Sequence, residues 1–134
     1  MAITIASVTF DCADALTLAR FWSAALARPL DPKASSDFAA IGFAGRRDTA
    51  GWRPADNRGE TTWMFVKVPE PKTAKNRIHL DVMTTDPDLE IDRLVGLGAT
   101  RVRDMEEYGY TWTVMADPEG NEFCIAKERP GTLG

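Results

Sequence analysis

The chain reads as an α+β protein built from two tandem strand–helix–strand–strand–strand units, and three observations predict this. Ile78-His79-Leu80-Asp81-Val82 repeats the alternation of Val8-Thr9-Phe10-Asp11-Cys12 at a distance of 70 positions. A capped, amphipathic helical pattern follows each copy. The length, 134 residues, suits a single domain, and a unit of half that size buries its apolar face poorly alone, so the two should join into one body. Helices would then cover the outer face of the sheet, leaving an inner face curved around a cleft.

The elements follow in order. Ala2 to Asp11 is β-branched and alternates at period two, a half-buried strand with Val8 and Phe10 on one side and Thr9 and Asp11 on the other. From Asp14 to Arg28, Leu16, Ala19, Phe21, Trp22, Ala25 and Leu26 recur at helical spacing; Asp11 or Asp14 caps the start and Pro29 stops the run. Phe21 and Trp22 are expected to pack helix on sheet. Phe38 to Phe43 makes a short strand. Ala44 to Glu60, rich in Gly and charge, reads as a long binding loop or lid.

Thr61 to Val68 is a strong strand with Trp63, Phe65 and Lys67 on one face and Met64, Val66 and Val68 on the other. Pro69 to Lys72 breaks it and a polar linker runs to Asn76. In the second unit Asp86 is an N-cap, Pro87 takes the first helical position, Leu89, Leu94, Val95 and Leu97 supply the apolar face, and Gly98 closes the helix. Strands follow at Arg101 to Arg103, Tyr110 to Met115 and Glu122 to Ala126, the last two joined by the Asp117-Pro118-Glu119-Gly120-Asn121 turn. The boundaries are a first module over about 1–68, a linker over about 69–76, a second module over about 77–128 and a short tail.

Composition narrows the function. Sixteen Lys+Arg against 20 Asp+Glu give a net charge of −4, the wrong sign for a nucleic-acid partner. No apolar run reaches the roughly 18–20 residues of a membrane helix, and Met1 to Phe10 lacks the organisation of a signal peptide. A cytoplasmic protein with no membrane partner is expected, its Cys12 and Cys124 being free thiols.

Asn76-Arg77-Ile78-His79-Leu80-Asp81-Val82, Leu97-Gly98-Ala99 and Asp117-Pro118-Glu119-Gly120-Asn121-Glu122-Phe123, in this order on a repeated chain, resemble the glyoxalase-like domain of the vicinal oxygen chelate superfamily, which includes bleomycin-resistance proteins and extradiol dioxygenases. The resemblance implies paired βαβββ modules, a cupped eight-stranded mixed sheet with helices outside, and a homodimer. It further implies a divalent metal held by one ligand from the first strand and one from the last strand of each module. The second module supplies His79 and Glu122; the matching positions of the first are Thr9 and Trp63, neither a ligand. Two protein ligands fall short of the three or more that hold a catalytic metal. A metal-free cleft is therefore expected, with a divalent metal as the alternative. Asp11 and Asp81 are weak substitutes, each two residues and roughly 6–7 Å further along its strand.

His79 is the candidate for proton transfer or ligation, because only its side chain titrates near neutrality. Glu122, facing an apolar cleft, would have a raised pKa suited to acid–base work. Trp63, Phe65, Tyr110 and Trp112, with Thr9, are candidates to line the cleft and bind a flat or apolar ligand. Trp52, in the long loop, would close over a ligand or pack across a dimer interface. Two readings result. One is a binding protein for a small apolar or aromatic molecule. The other is a lyase or isomerase acting on a small carbonyl compound, with His79 and Glu122 as acid/base pair or metal ligands.

Overall fold

In a computed structural model, the chain is described at residues 5, 7–44, 47–48, 51–52 and 61–128. The α+β class expected from the sequence is what it shows: two helices with mixed sheets of three and four strands and a two-stranded pair. The chain divides into two compact units, Met1–Pro71 and Lys72–Gly134, each taken by itself below.

In the first unit, β1 (Ser7–Cys12) is followed by α1 (Ala15–Leu26), β2 (Phe38–Ile41), the short β3 (Arg47–Asp48) and β4 (Gly51–Trp52), and β5 (Thr62–Lys67). Asp14 is the N-cap, its carboxylate accepting from the Thr17 N–H, which satisfies one of the donors left free at a helix start. Ala27 ends the helix in the left-handed conformation, and the N–H groups of Ala27 and Arg28 return to the carbonyls of Ala24 and Ser23, closing the last turn two residues before Pro29.

The sheet order is β1-β5-β2, with β1 parallel and β2 antiparallel to β5. β3 and β4 pair only with each other among the described residues. Of the loop expected over Ala44 to Glu60, only residues 44, 47–48 and 51–52 are described; the rest of it, and the role expected of the Trp52 side chain, lie outside the described residues.

Residues opposite one another on adjacent strands share a face. Val8 pairs with Trp63 and Phe10 with Phe65, and this face lies under α1. Phe10 packs on Trp22, Trp63 and Phe65 at ring separations of 5.8, 5.4 and 5.3 Å, and Trp22 meets Trp63 at 5.2 Å. Trp22 and Phe65 are fully buried. Trp63 and Phe65 therefore build the helix-covered core rather than the cleft face on which they were expected. Period two tells which residues share a side; the apolar stripe of α1, carrying Leu18, Phe21 and Trp22, decides which side is closed. The open side carries Thr9 and Asp11, both exposed, beside Met64 and Val66.

In the second unit, β6 (Leu80–Thr84), α2 (Pro87–Leu97), β7 (Thr100–Glu107), β8 (Tyr110–Ala116) and β9 (Glu122–Lys127) form a complete βαβββ module with sheet order β6-β9-β8-β7. Asp86 caps α2 through the Leu89 N–H, with Pro87 in the first turn. Gly98 takes φ +119° at the other end, a conformation costly for any residue with a Cβ. The buried side of α2 is Ile91 and Leu94; Leu89, Val95 and Leu97, expected on that side, are exposed. The helix lies over β9 through one narrow stripe, so apolar residues on either side of it remain in solvent. Phe123, Ile125 and Met115 complete this core.

β7 is longer than the Arg101–Arg103 strand expected. Its charges suit an edge strand, where unpaired backbone groups are best protected by charged side chains. The turn into β8 uses Tyr108 and Gly109, both at positive φ, matching the two-residue hairpin geometry that follows sheet twist.

Candidate functional site in the second unit

The open face of the second sheet is set by register. Asp81 pairs with Cys124, Val114 with Cys124, and Ala116 with Glu122. The register of β7 shifts between Arg101 and Arg103, so that Arg103 and Met105 stand opposite Val114 and Trp112 on this same face. Lys75, His79, Asp81, Arg103, Met105, Trp112, Val114, Glu122 and Cys124 line a cavity of about 390 Å³ on this face. Its floor is Met105, Trp112 and Val114, and its polar groups are His79, Asp81, Glu122, Lys75 and Arg103.

Glu122 is placed by the turn before it. The buried Asp117 carboxylate accepts from the N–H groups of Glu119 and Asn121 and from the Asn121 side-chain amide. Asn76 then ties this turn to the second strand copy: its amide donates to Asn121 Oδ1 at 3.2 Å and its carbonyl accepts from the Glu122 N–H at 3.0 Å. Residues 76 and 121–122, far apart in sequence, are thereby locked side by side, which fixes the start of β9 where Glu122 enters the cavity lining.

The Glu122 carboxylate lies 2.7 Å from Lys75 Nζ and 3.9 Å from Arg103 Nη1. Lys75, hydrogen-bonded to it, holds its pKa below the ordinary carboxylate value, with Arg103 and Lys72 adding to this and partial burial opposing it. The raised pKa expected for a carboxyl facing an apolar cleft is thus reversed, because two cations reach it. Glu122 is an ionised, paired group and a poor general acid.

His79 stands just before β6 rather than inside the strand expected from Ile78 to Val82, and both Ile78 and His79 are exposed. Free of the ladder, its ring folds back so that Nε2 lies 3.5 Å from Asp81 Oδ1, well inside the strand spacing expected for that pair. The partner of His79 in this structure is therefore Asp81, not Glu122. Cys124 is buried beside Asp81, and burial first, then Asp81 and Glu122, push its thiol pKa up. That disfavours a free thiolate nucleophile.

Tyr110 shares the face of Trp112 by alternation but is 60% exposed near the turn, outside the cavity lining. Lys75, Arg103 and Met105 were not singled out in the sequence, and Asn76 entered only as the first residue of a family-like motif. Lys75 sits in a linker without periodicity; Arg103 and Met105 reach the face only through the shift of register. A larger cavity of about 790 Å³ opens on the side of the sheet that α2 covers, bordered by Asp86, Asp88, Asp104 and Glu106, with no histidine or cysteine in its lining.

The metal set implied by the family resemblance does not fit. If Asp11 is matched to Asp81, the register pairs Asp11–Val66 and Asp81–Cys124 make Met64, not Trp63, the counterpart of Glu122, and Thr9 the counterpart of His79. A hydroxyl and a thioether are poor donors for a divalent ion, and Glu122 is already bound by Lys75.

The second unit is thus a complete βαβββ module with one sheet face open. Residues 7–126 match the family model of the glyoxalase-like domain, and the chain belongs to that family. No curated protein gives a significant match. Among solved structures, a glyoxalase/bleomycin resistance protein/dioxygenase family enzyme from Burkholderia phytofirmans is 18% identical, with 93% of this chain and 98% of that one covered at a TM-score of 0.65. A bleomycin-binding protein from Streptomyces verticillus, complexed with copper(II)-bleomycin, is 16% identical, with coverage of 96% and 99% and a TM-score of 0.57. A fosfomycin resistance protein from Listeria monocytogenes, complexed with manganese(II) and 1S,2S-dihydroxypropylphosphonic acid, is 12% identical, with coverage of 99% and 94% and a TM-score of 0.69. At these identities the likeness is one of fold.

Proposed function

We propose that the protein binds a small apolar or aromatic molecule on the open face of its second module, with Trp112, Met105 and Val114 as the apolar floor. The observation that carries this reading is the cavity itself: an indole, a thioether and a valine form one wall, and hydrogen-bonding groups converge at its edge. Sites for small organic ligands combine an apolar wall with convergent polar groups that fix orientation, and here the polar edge is His79, Asp81, Glu122, Lys75 and Arg103. Structural neighbours of the same fold that hold a bleomycin complex or a phosphonic acid support small-molecule binding as such. A homodimer, implied by the family resemblance, belongs to the same reading and is checked by sedimentation.

Isothermal titration with a panel of planar aromatic compounds tests it. Micromolar binding that weakens at least about tenfold in Trp112→Ala, from the loss of stacking and burial, supports the reading. Equal affinity in the variant places any bound compound elsewhere and sinks it.

A second reading, a lyase or isomerase acting on a small carbonyl compound, is favoured by the approach of His79 Nε2 to Asp81 Oδ1. A carboxylate beside an imidazole orients it for proton transfer, as a general base requires. Turnover of a carbonyl substrate that disappears in His79→Ala and drops in Asp81→Asn would move the assignment to this reading.

A further inference from the structure

The donors left uncommitted by Glu122 lie one strand repeat further into the sheet. Among the described residues, an imidazole nitrogen of His79, a carboxylate oxygen of Asp81 and the Cys124 sulfur all fall within 4.8 Å of one another. We propose that these three residues form a zinc-binding site, displaced from the pair that the family resemblance selects.

Geometry supports the placement. Asp81 and Cys124 are direct register partners on the parallel strands β6 and β9, so their side chains rise from the same face side by side. His79 stands two residues before Asp81 and already meets it at 3.5 Å. In a tetrahedral zinc site with metal–ligand bonds of 2.0–2.3 Å, neighbouring donor atoms lie about 3.4–3.6 Å apart. The His79–Asp81 contact has that spacing, and the widest separation in the group must close by only about 1 Å. The movement is available: the His79 and Asp81 side chains are 51% and 76% exposed, and ordinary rotation brings both toward the buried sulfur.

The donor chemistry selects the ion. One nitrogen, one oxygen and one sulfur make a mixed, borderline set that suits zinc and disfavours magnesium or calcium, which take oxygen alone. Three protein ligands leave a fourth position open toward the cavity, the arrangement of zinc sites that accept an exogenous donor. Glu122 contributes nothing to this set, because Lys75 occupies its carboxylate. Binding would replace the Cys124 thiol proton by the metal, releasing that proton to solvent.

The test uses the full chain, stripped with a chelator and titrated with Zn²⁺ alone, so that it reads independently of any organic ligand. One ion per chain is expected, with affinity falling more than about tenfold in Asp81→Asn, His79→Gln and Cys124→Ser. Glu122→Gln should retain both stoichiometry and affinity. Substitution with Co²⁺ should give a thiolate-to-metal charge-transfer band that Cys124→Ser abolishes and Glu122→Gln keeps. If the buried Cys124→Ser variant does not fold, as judged by circular dichroism, the exposed Asp81→Asn variant still decides the matter. Absence of stoichiometric binding, or binding that Glu122→Gln removes and Asp81→Asn spares, overturns the proposal.

Discussion

Lys75 Nζ lies 2.7 Å from Glu122 Oε1, and this contact decides what Glu122 is able to do. A carboxylate that would otherwise be a proton donor or a metal ligand is turned into the anionic half of an ion pair by a residue from the segment preceding β6. Removing the lysine should therefore change the character of Glu122 more than it changes the fold. In Lys75→Ala the Glu122 pKa should rise, read by carboxyl NMR titration, while stability falls by no more than about 1 kcal/mol, the usual ceiling for an exposed pair. A Glu122 titration unmoved by the substitution would show that Arg103 and Lys72 are the groups holding it.

The same pair sets an acid dependence. The folded-state pKa of Glu122 is lowered, so its contribution is fully present above the unfolded carboxylate value and is lost as pH falls through the folded value. Asp104, held down by Arg101 and Thr113, follows the same sign. Urea midpoints should thus separate wild type from Lys75→Ala at neutral pH and converge as the solution is acidified through and below the ordinary carboxylate range. A gap that stays constant with pH would mean that the lysine acts by packing alone.

In the first unit the prediction is one of stability. Trp22 is 1% exposed and packs on Phe10, Phe21 and Trp63. Trp22→Ala should cost about 3–5 kcal/mol, the range for deleting a large aromatic from a packed core. Trp63→Ala should also destabilise, since its ring lies on the same cluster. A Trp63→Ala protein as stable as wild type would contradict the assignment of Trp63 to the core.

That last residue shows where sequence and structure part. Alternation correctly grouped Trp63 with Phe65, and Asp117 to Asn121 correctly marked the turn before β9. Neither carries information about which sheet face a helix will cover; that follows from the stripe of α1, whose Trp22 reaches Phe10 across the sheet. Of the candidate site, His79 and Glu122 were named through the family resemblance, and Trp112 through the alternation that put it among the cleft aromatics. Asp81 was named only as a weak substitute ligand, because its contact with His79 depends on His79 lying outside the ladder, and Lys75 and Arg103 were hidden. Those two arrive through a linker and a shift of register, neither of which leaves a periodic trace.

Gly98 provides a local check on how α2 is ended. Its φ of +119° is strained for any L side chain, and a Cβ there would stand 3.3 Å from Pro118 Cγ. Gly98→Ala should lose at least about 1 kcal/mol in a thermal or urea melt. Gly96, within the helix and with open space around its missing Cβ, is the control: Gly96→Ala should stabilise by about 0.4–1 kcal/mol. Equal responses at the two positions would mean that α2 does not end at Gly98.

Asp117 links stability to the site. Its carboxylate accepts three hydrogen bonds, from the Glu119 and Asn121 N–H groups and the Asn121 amide, while 3% exposed. Asp117→Ala strands these donors in a place where water reaches poorly, at a cost of about 1–3 kcal/mol. The loss should not stay local. Asn121 is the residue that Asn76 grips, and Asn76 also receives the Glu122 N–H, so loosening the turn frees the start of β9 and with it the Glu122–Lys75 pair. Amide exchange at Glu122 should accelerate in Asp117→Ala, and the Glu122 pKa should move up toward the value reached in Lys75→Ala. Asn76→Ala, which keeps the Asp117 bonds, should reproduce the shift at Glu122 with a smaller loss of stability. If Asp117→Ala destabilises the protein but leaves Glu122 titrating as in wild type, the turn supports the fold without placing the carboxylate.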